Sequence, residues 1–176
     1  MIVRVVACDA AHLAAAVDDP AALAARLDAR IAEGVIEDEW RDAFRFARAE
    51  LERRPELFGW WTALFLLEAP RVVCGMGGFK GPPAADGTVE IGYSIAPPLR
   101  GRGLATAAAR ELVRLAFADP RVAAVTAHTL AQPNASTRVL EKIGLRRIAE
   151  LLDPAEHDQP IWRWRLDRAD ATPAGT

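Results

Sequence analysis

The stretch that decides the fold is Thr88-Val89-Glu90-Ile91-Gly92-Tyr93-Ser94-Ile95-Ala96-Pro97-Pro98-Leu99-Arg100-Gly101-Arg102-Gly103-Leu104-Ala105-Thr106. Residues 88–95 alternate apolar and small or polar side chains, the period of a half-buried strand. Pro97 and Pro98 end that strand, and from Gly103 onward Leu104, Ala108, Leu112 and Leu115 fall on one face of a helix. A strand therefore enters a helix through a glycine-rich bend. The first N–H groups of a helix have no intrahelical acceptors and sit at the positive end of its dipole, so such a bend can hold a phosphate. Glycine lets that anion approach the backbone.

Three phosphate-binding patterns compete for the bend. A P-loop requires Gly-Lys-Ser/Thr at its end, and the two lysines, Lys80 and Lys142, lie elsewhere. Gly101, Gly103 and Thr106 approximate the dinucleotide pattern G-x-G-x-x-G, but the prolines intervene and the first-strand setting is missing. The pattern R/Q-x-x-G-x-G/A is met by Arg100, Gly103 and Ala105. Taken alone, the bend also reads as a tight turn carrying solvated arginines.

Working outward, residues 1–6 read as a β-branched strand, and Leu23, Leu27 and Ile31 as one face of a helix with Pro20 near its start. Trp40, Ala43, Phe44, Ala47 and Leu51 mark a second amphipathic helix that Pro55 stops. Strands over 60–67, 71–79 and 88–95, joined by short turns, predict an antiparallel meander. After the helix that begins at Gly103 come a strand at 122–130, a short helix at 136–143 closed by Gly144, and strands at 145–152 and 161–166. The order predicts an α/β (α+β) fold: a mixed, mostly antiparallel central sheet flanked by helices.

Length and composition set the remaining bounds. With 176 residues, 51% hydrophobic and 26% charged, the chain fits one domain over 1–168 and a flexible tail over 169–176. The apolar run 60–67 is broken by Glu68 and Pro70, far short of the roughly 20 residues of a membrane span, so no membrane association is expected. The N-terminus lacks the pattern of a secretory signal, which makes the cytoplasm the expected compartment. A net charge of −2 argues against a nucleic-acid face. Cys8 and Cys74 lack ligand spacing and are expected to be buried free thiols, with no metal site.

Further runs join the bend: Gly77-Gly78-Phe79-Lys80, Glu90 to Ile95, and Asn134-Ala135-Ser136-Thr137-Arg138-Val139-Leu140-Glu141-Lys142-Ile143-Gly144-Leu145. Together, over roughly 60–166, they resemble the GNAT superfamily of N-acetyltransferases. The last run is similar to the branch that contains the ribosomal-protein N-terminal acetyltransferases. The resemblance implies two central strands that splay apart near Ile95 and Leu130, and acetyl-CoA as acetyl donor. By the same resemblance Ile95, Ala96, Arg100, Gly101, Arg102, Gly103, Leu104, Ala105, Thr106 and Asn134 hold that donor, mostly through main chain.

Acetyl transfer to an amine needs a base, an oxyanion donor and a proton source for the leaving thiolate. Glu90 and His128 are the candidates for the base. Each also reads as an ordinary strand residue. Ser136 is the candidate acid or orienter, although Asn134 and Ser136 would equally serve as caps of the short helix. Backbone N–H groups near Ile95 or Ala96 are expected to serve the oxyanion. Trp40, Phe44, Trp60 and Trp61 could line an acceptor pocket or fill the core.

Two departures from the family pattern stand out. The tyrosine that many members carry on the short helix is replaced at the matching position by Glu141, since the sole tyrosine is Tyr93. Asn134 also stands one residue closer to Ser136 than the common spacing. The expected partner is an amine-bearing small molecule or peptide, with a homodimer compatible with exposed edge strands. A non-catalytic acyl-CoA sensor is the rival reading.

Overall fold

The alternation over 62–95 produces the centre of the sheet. Strands β3 (Thr62–Glu68), β4 (Arg71–Phe79) and β5 (Thr88–Ile95) form the expected antiparallel meander. The computed structural model describes residues 2–153 and 159–171. Around the meander lie β1 (Val3–Ala7), α1 (Ala10–Asp18), α2 (Pro20–Leu27), β2 (Arg30–Ile31) and α3 (Asp38–Arg53). After it come α4 (Leu104–Ala118), β6 (Ala124–Leu130), α5 (Ala135–Lys142), β7 (Arg146–Asp153) and β8 (Gln159–Asp167). The sheet order is β1-β3-β4-β5-β6-β8-β7, with β2 beside β4. Pairing is antiparallel except at β5–β6 and β2–β4.

Local chemistry explains the boundaries. Pro20 occupies the first turn of α2, where its missing N–H costs nothing, and the Asp19 carboxylate accepts from the N–H groups of Ala21 and Ala22. The expected helical face Leu23, Leu27 and Ile31 is cut short. Asp28 adopts φ 46°, the left-handed conformation that ends helices, and Ile31 instead pairs with Val73 through β2. The strand expected from 60 begins at Thr62, because the Trp60 N–H closes a turn onto Leu57 O at 3.0 Å.

Two apolar clusters occupy the two faces of the sheet. On one, Leu104, Ala108, Leu112 and Ala116 of α4 are buried against Val89, Ile91, Val125 and Ala127, with Leu140 of α5 and Trp164 of β8 in the same cluster. On the other, Leu13, Leu23 and Phe44 of α1 to α3 pack with Leu64, Leu66, Val73 and Met76. This second cluster contains no residue of β5, β6, β7 or β8. The helices α1 to α3 thus cover one half of their face and leave β5, β6 and β8 open. Cys8 and Cys74 are free thiols buried in these clusters, and burial pushes the Cys8 thiol up to about 12.

Past β8, Arg168 donates to the carbonyls of Val122, Phe117 and Asp119, so residues Arg168–Asp170 form a turn tied to the end of α4. The rest of the expected tail, 172–176, lies outside the described residues.

Close approach of β4 to β5 depends on glycine. A Cβ on Gly77 would lie 2.2 Å from Gly92 O and 2.7 Å from Phe65 Cζ, and the first of these is backbone that cannot rotate away. Gly77→Ala is therefore expected to destabilise the fold by about 2–3 kcal/mol, read as a lower denaturation midpoint at unchanged m-value.

Candidate functional site

Parallel pairing between β5 and β6 is confined to Thr88↔Ala124, Val89↔Val125 and Glu90↔Thr126. Beyond Glu90 and Thr126 the two strands run on as separate arms, to Ile95 and to Leu130. Along β5 the pairs Ala96 N–H to Cys74 O and Lys80 N–H to Glu90 O show which groups face β4. By the alternation of an antiparallel ladder, the N–H groups of Tyr93 and Ile95 point the other way, into the gap. The N–H of Ala96, expected as an alternative oxyanion donor, is committed to Cys74 O at 3.0 Å. Ile95 is the donor that remains.

The glycine-rich bend stands at the open end of this gap. Gly101 and Gly103 both take φ 77°, a conformation that residues with a Cβ adopt at a cost of about 1–2 kcal/mol. A Cβ on either would meet nothing within 4 Å, so the glycines serve backbone shape and an open surface, not tight packing. Gly103 is the N-cap of α4, and no side chain caps the helix there. The first-turn N–H groups of Leu104, Ala105 and Thr106 are thus available to an anion.

The arginines of the bend are placed differently from one another. Arg100 Nε donates to Ile95 O at 2.9 Å and ties the bend to the end of β5. Arg102 is exposed and reaches Pro98 O at 3.3 Å. Leu104 is buried in the core, so it offers the bend only its main chain.

On the other arm, α5 begins directly after the loop that follows β6. Asn134 Oδ1 accepts from Thr137 N–H while Thr137 Oγ1 accepts from Asn134 N–H, a reciprocal capping box. Asn134 is thereby spent on the cap. Ser136 is half-buried, and its carbonyl accepts from the Tyr93 hydroxyl at 3.3 Å. Tyr93 thus spans the gap between β5 and α5, and burial pushes its phenol well above the ordinary value. From the sequence no role is expected for this tyrosine, because it does not lie on the short helix. Alternation along 88–95, which turns it to the opposite face from Glu90, was the available signal. Glu141, Arg138 and Lys142 are exposed.

At the apex, where pairing stops, Glu90 and His128 meet on the open face. Glu90 Oε1 lies 3.0 Å from His128 Nδ1 and 2.5 Å from Lys80 Nζ, and all three side chains are on the face opposite α4. The Lys80 contact is an ion pair, and the His128 contact becomes one when the ring is protonated. Burial alone would raise the Glu90 pKa, but Lys80 and His128 together hold the carboxyl below its ordinary value. Glu90 is therefore ionised at neutral pH and a weak base in its own right. Its charge beside Nδ1 favours the ring tautomer with the proton on that nitrogen, which leaves Nε2 free to accept another.

Of the expected aromatic wall, Phe44 is core and Trp40 packs on the same cluster. Trp60 stacks on Phe79 at 5.1 Å. Trp61 meets the exposed Phe46 edge-on at 5.3 Å and reaches Gly81, next to Lys80. Beside Glu90 on the open face, Gly92 has room for a Cβ that would touch nothing within 4 Å.

Residues 1–146 match the family model described as an acetyltransferase (GNAT) domain. Three solved structures agree over nearly the whole length. The ribosomal-protein-S5-alanine acetyltransferase from Vibrio fischeri superposes with a TM-score of 0.67 at 13% identity, covering 98% of this chain and 97% of that one. The aminoglycoside acetyltransferase AAC(6')-Ib, solved in complex with paromomycin and acetyl-CoA, gives 0.66 at 18% identity with 100% of both chains covered. A spermidine N-acetyltransferase chimera from Vibrio cholerae and hSSAT gives 0.68 at 13%, with 96% and 97% covered. At these identities the likeness is one of fold. No helix among the described residues is long and apolar enough to cross a membrane.

The lowered Glu90 pKa fixes the sign of a pH effect. A carboxyl held below its ordinary value stabilises the fold above that value, and the contribution is lost as pH falls through the folded-state pKa. Glu90→Gln should therefore be less stable than the native chain at pH 7, with the difference closing below about pH 4.5, the ordinary glutamate value, when denaturation midpoints are compared across pH.

Proposed function

Because the chain belongs to the GNAT acetyltransferase family, we propose that it is an acetyl-CoA-dependent N-acetyltransferase acting in the cytoplasm. Its acceptor is a primary amine of a small molecule or a peptide N-terminus, which attacks directly in a ternary complex. The observation that carries this reading is the Glu90–His128 pair at the apex of a gap whose open end bears an uncapped, glycine-lined helix N-terminus.

The bend fits a pyrophosphate. Gly101 and Gly103 leave the space that a Cβ would fill, and the N–H groups of Leu104, Ala105 and Thr106 supply donors. Arg102 adds an exposed positive charge, while Arg100 holds the bend in place through Ile95 O. Ala96 and Asn134 border the same gap and contribute through backbone and helix cap. Bound there, acetyl-CoA supplies the thioester carbonyl that the amine attacks, and CoA departs as the thiol.

Around that step each residue has a physical task. An ammonium must lose a proton before it can attack, and His128 Nε2 accepts it. Glu90 holds the ring and offsets the charge that develops on it, as a buried carboxylate does for an imidazolium. Ile95 N–H, directed into the gap, donates to the oxyanion. Ser136, in the first turn of α5, is assigned to hold or protonate the leaving thiolate.

The acyl-CoA sensor remains the second reading, favoured by the exposed Glu141 at the position of the family's helical tyrosine. Thiol release that depends on added amine separates the two, because a sensor binds CoA without turnover. Titration calorimetry is expected to give selective binding of acetyl-CoA and CoA over ATP and NAD. Gly103→Val should weaken that binding about tenfold or more at little change in fold, through the left-handed φ and the filled cradle. Unchanged affinity would remove the bend from the site. His128→Gln should lower kcat by about 10²–10⁴ and leave CoA affinity unchanged, in steady-state assays against a panel of amines.

A further inference from the structure

The open face around Glu90 carries an imbalance of charge. Cross-strand register places Arg163 of β8 directly opposite His128 and Arg165 opposite Thr126, and β7 sets Arg146 beside Arg165. Residues opposite each other in an antiparallel pair share a face, so these cations lie with Lys80, Glu90 and His128. Three carboxylates near these cations are already engaged. Glu90 is held by Lys80 and His128, Asp167 pairs with Arg165 at 2.7 Å, and Asp86 accepts from Thr88. Arg163 has no ion pair among the described residues, and its Nε is buried without a hydrogen-bond partner.

A buried donor without an acceptor is costly, and guanidinium can only donate. An acceptor molecule that brings an oxyanion to Arg163 would satisfy the orphan donor and match the fork of the side chain. Arg163 is next to His128 across the strand pair, so that oxyanion would sit a few bonds from an amine whose proton His128 takes. A polycation would instead meet Lys80, Arg163, Arg165 and Arg146.

We infer that the acceptor is an amine carrying a nearby carboxylate or phosphate, and that Arg163 selects it. This rests on the amine-acetylating function proposed above. The class is that of amino acids and aminoalkyl phosphates, as opposed to polyamines or aminoglycosides.

The test uses the full chain with saturating acetyl-CoA and follows thiol release. Substrates are α-, β- and γ-amino acids, their amides, diamines of the same length, and aminoalkyl phosphates to separate the two oxyanions. The acidic amines should exceed their amides about tenfold to a hundredfold in kcat/KM, with the diamines poorest. Arg163→Gln should erase that ratio mainly through KM, and Arg163→Lys should restore part of it. Amides or diamines turned over as well as the acidic amines, or a ratio unchanged in Arg163→Gln, would overturn the inference. Should no amine be turned over, the amine-transfer function fails, and calorimetry of the CoA-loaded protein with 4-aminobutanoate against its amide decides the oxyanion site alone. Selective binding lost in Arg163→Gln upholds the site, and equal or absent binding rejects it.

Discussion

The structure depends on one interrupted interaction, the parallel ladder between β5 and β6 that ends at Glu90 and Thr126. Had the ladder continued to Ile95 and Leu130, the N–H groups of Tyr93 and Ile95 would be paired and the sheet would be closed. Because it stops, two arms diverge and each leads into a helix, so α4 and α5 present their N-termini beside the same gap. At the end of β5 the uncapped N–H groups on α4 favour an anion. The other arm is closed by its own capping box.

What keeps the gap from collapsing is the packing on either side. Val89, Ile91 and Ile95 of β5 are buried with Leu104 and Ala108 of α4, while Val125 and Ala127 of β6 join Leu140 of α5 and Trp164 of β8. Each arm is thus anchored in the core by its own side chains. Tyr93 bridges to the Ser136 carbonyl across the opening, and Arg100 fastens the bend to Ile95 O. Gly75 and Gly77 bring β4 against β5 so closely that a Cβ on either would strike a carbonyl at 2.2 Å.

Charge divides the two faces of the site. The α4 side offers backbone donors and exposed Arg102, and the opposite face carries Glu90 and His128 amid Lys80, Arg163, Arg165 and Arg146. Lys80 has a second consequence, since together with His128 it holds Glu90 in its ionised form. The carboxylate expected as a base is thereby made a weaker one.

The sequence by itself determined most of the elements and the glycine-rich bend. Periodicity over 60–67, 71–79 and 88–95 and from Gly103 onward depends on local side-chain alternation, and the glycines at 101 and 103 permit close approach of an anion. The family pattern at Arg100, Gly103 and Ala105 was equally legible, as was the meander. The tertiary structure alone decided the rest. Ile31 left its expected helix because Asp28 closed α2 and β4 offered a pairing edge. Of the two N–H groups expected there, that of Ile95 is left facing the gap because Ala96 N–H found Cys74 O. Lys80 and Arg163 gained their place beside Glu90 and His128 only through cross-strand register, which joins residues 80, 90, 128 and 163. Register depends on long-range pairing, and no local pattern in the chain encodes which charges it will bring together.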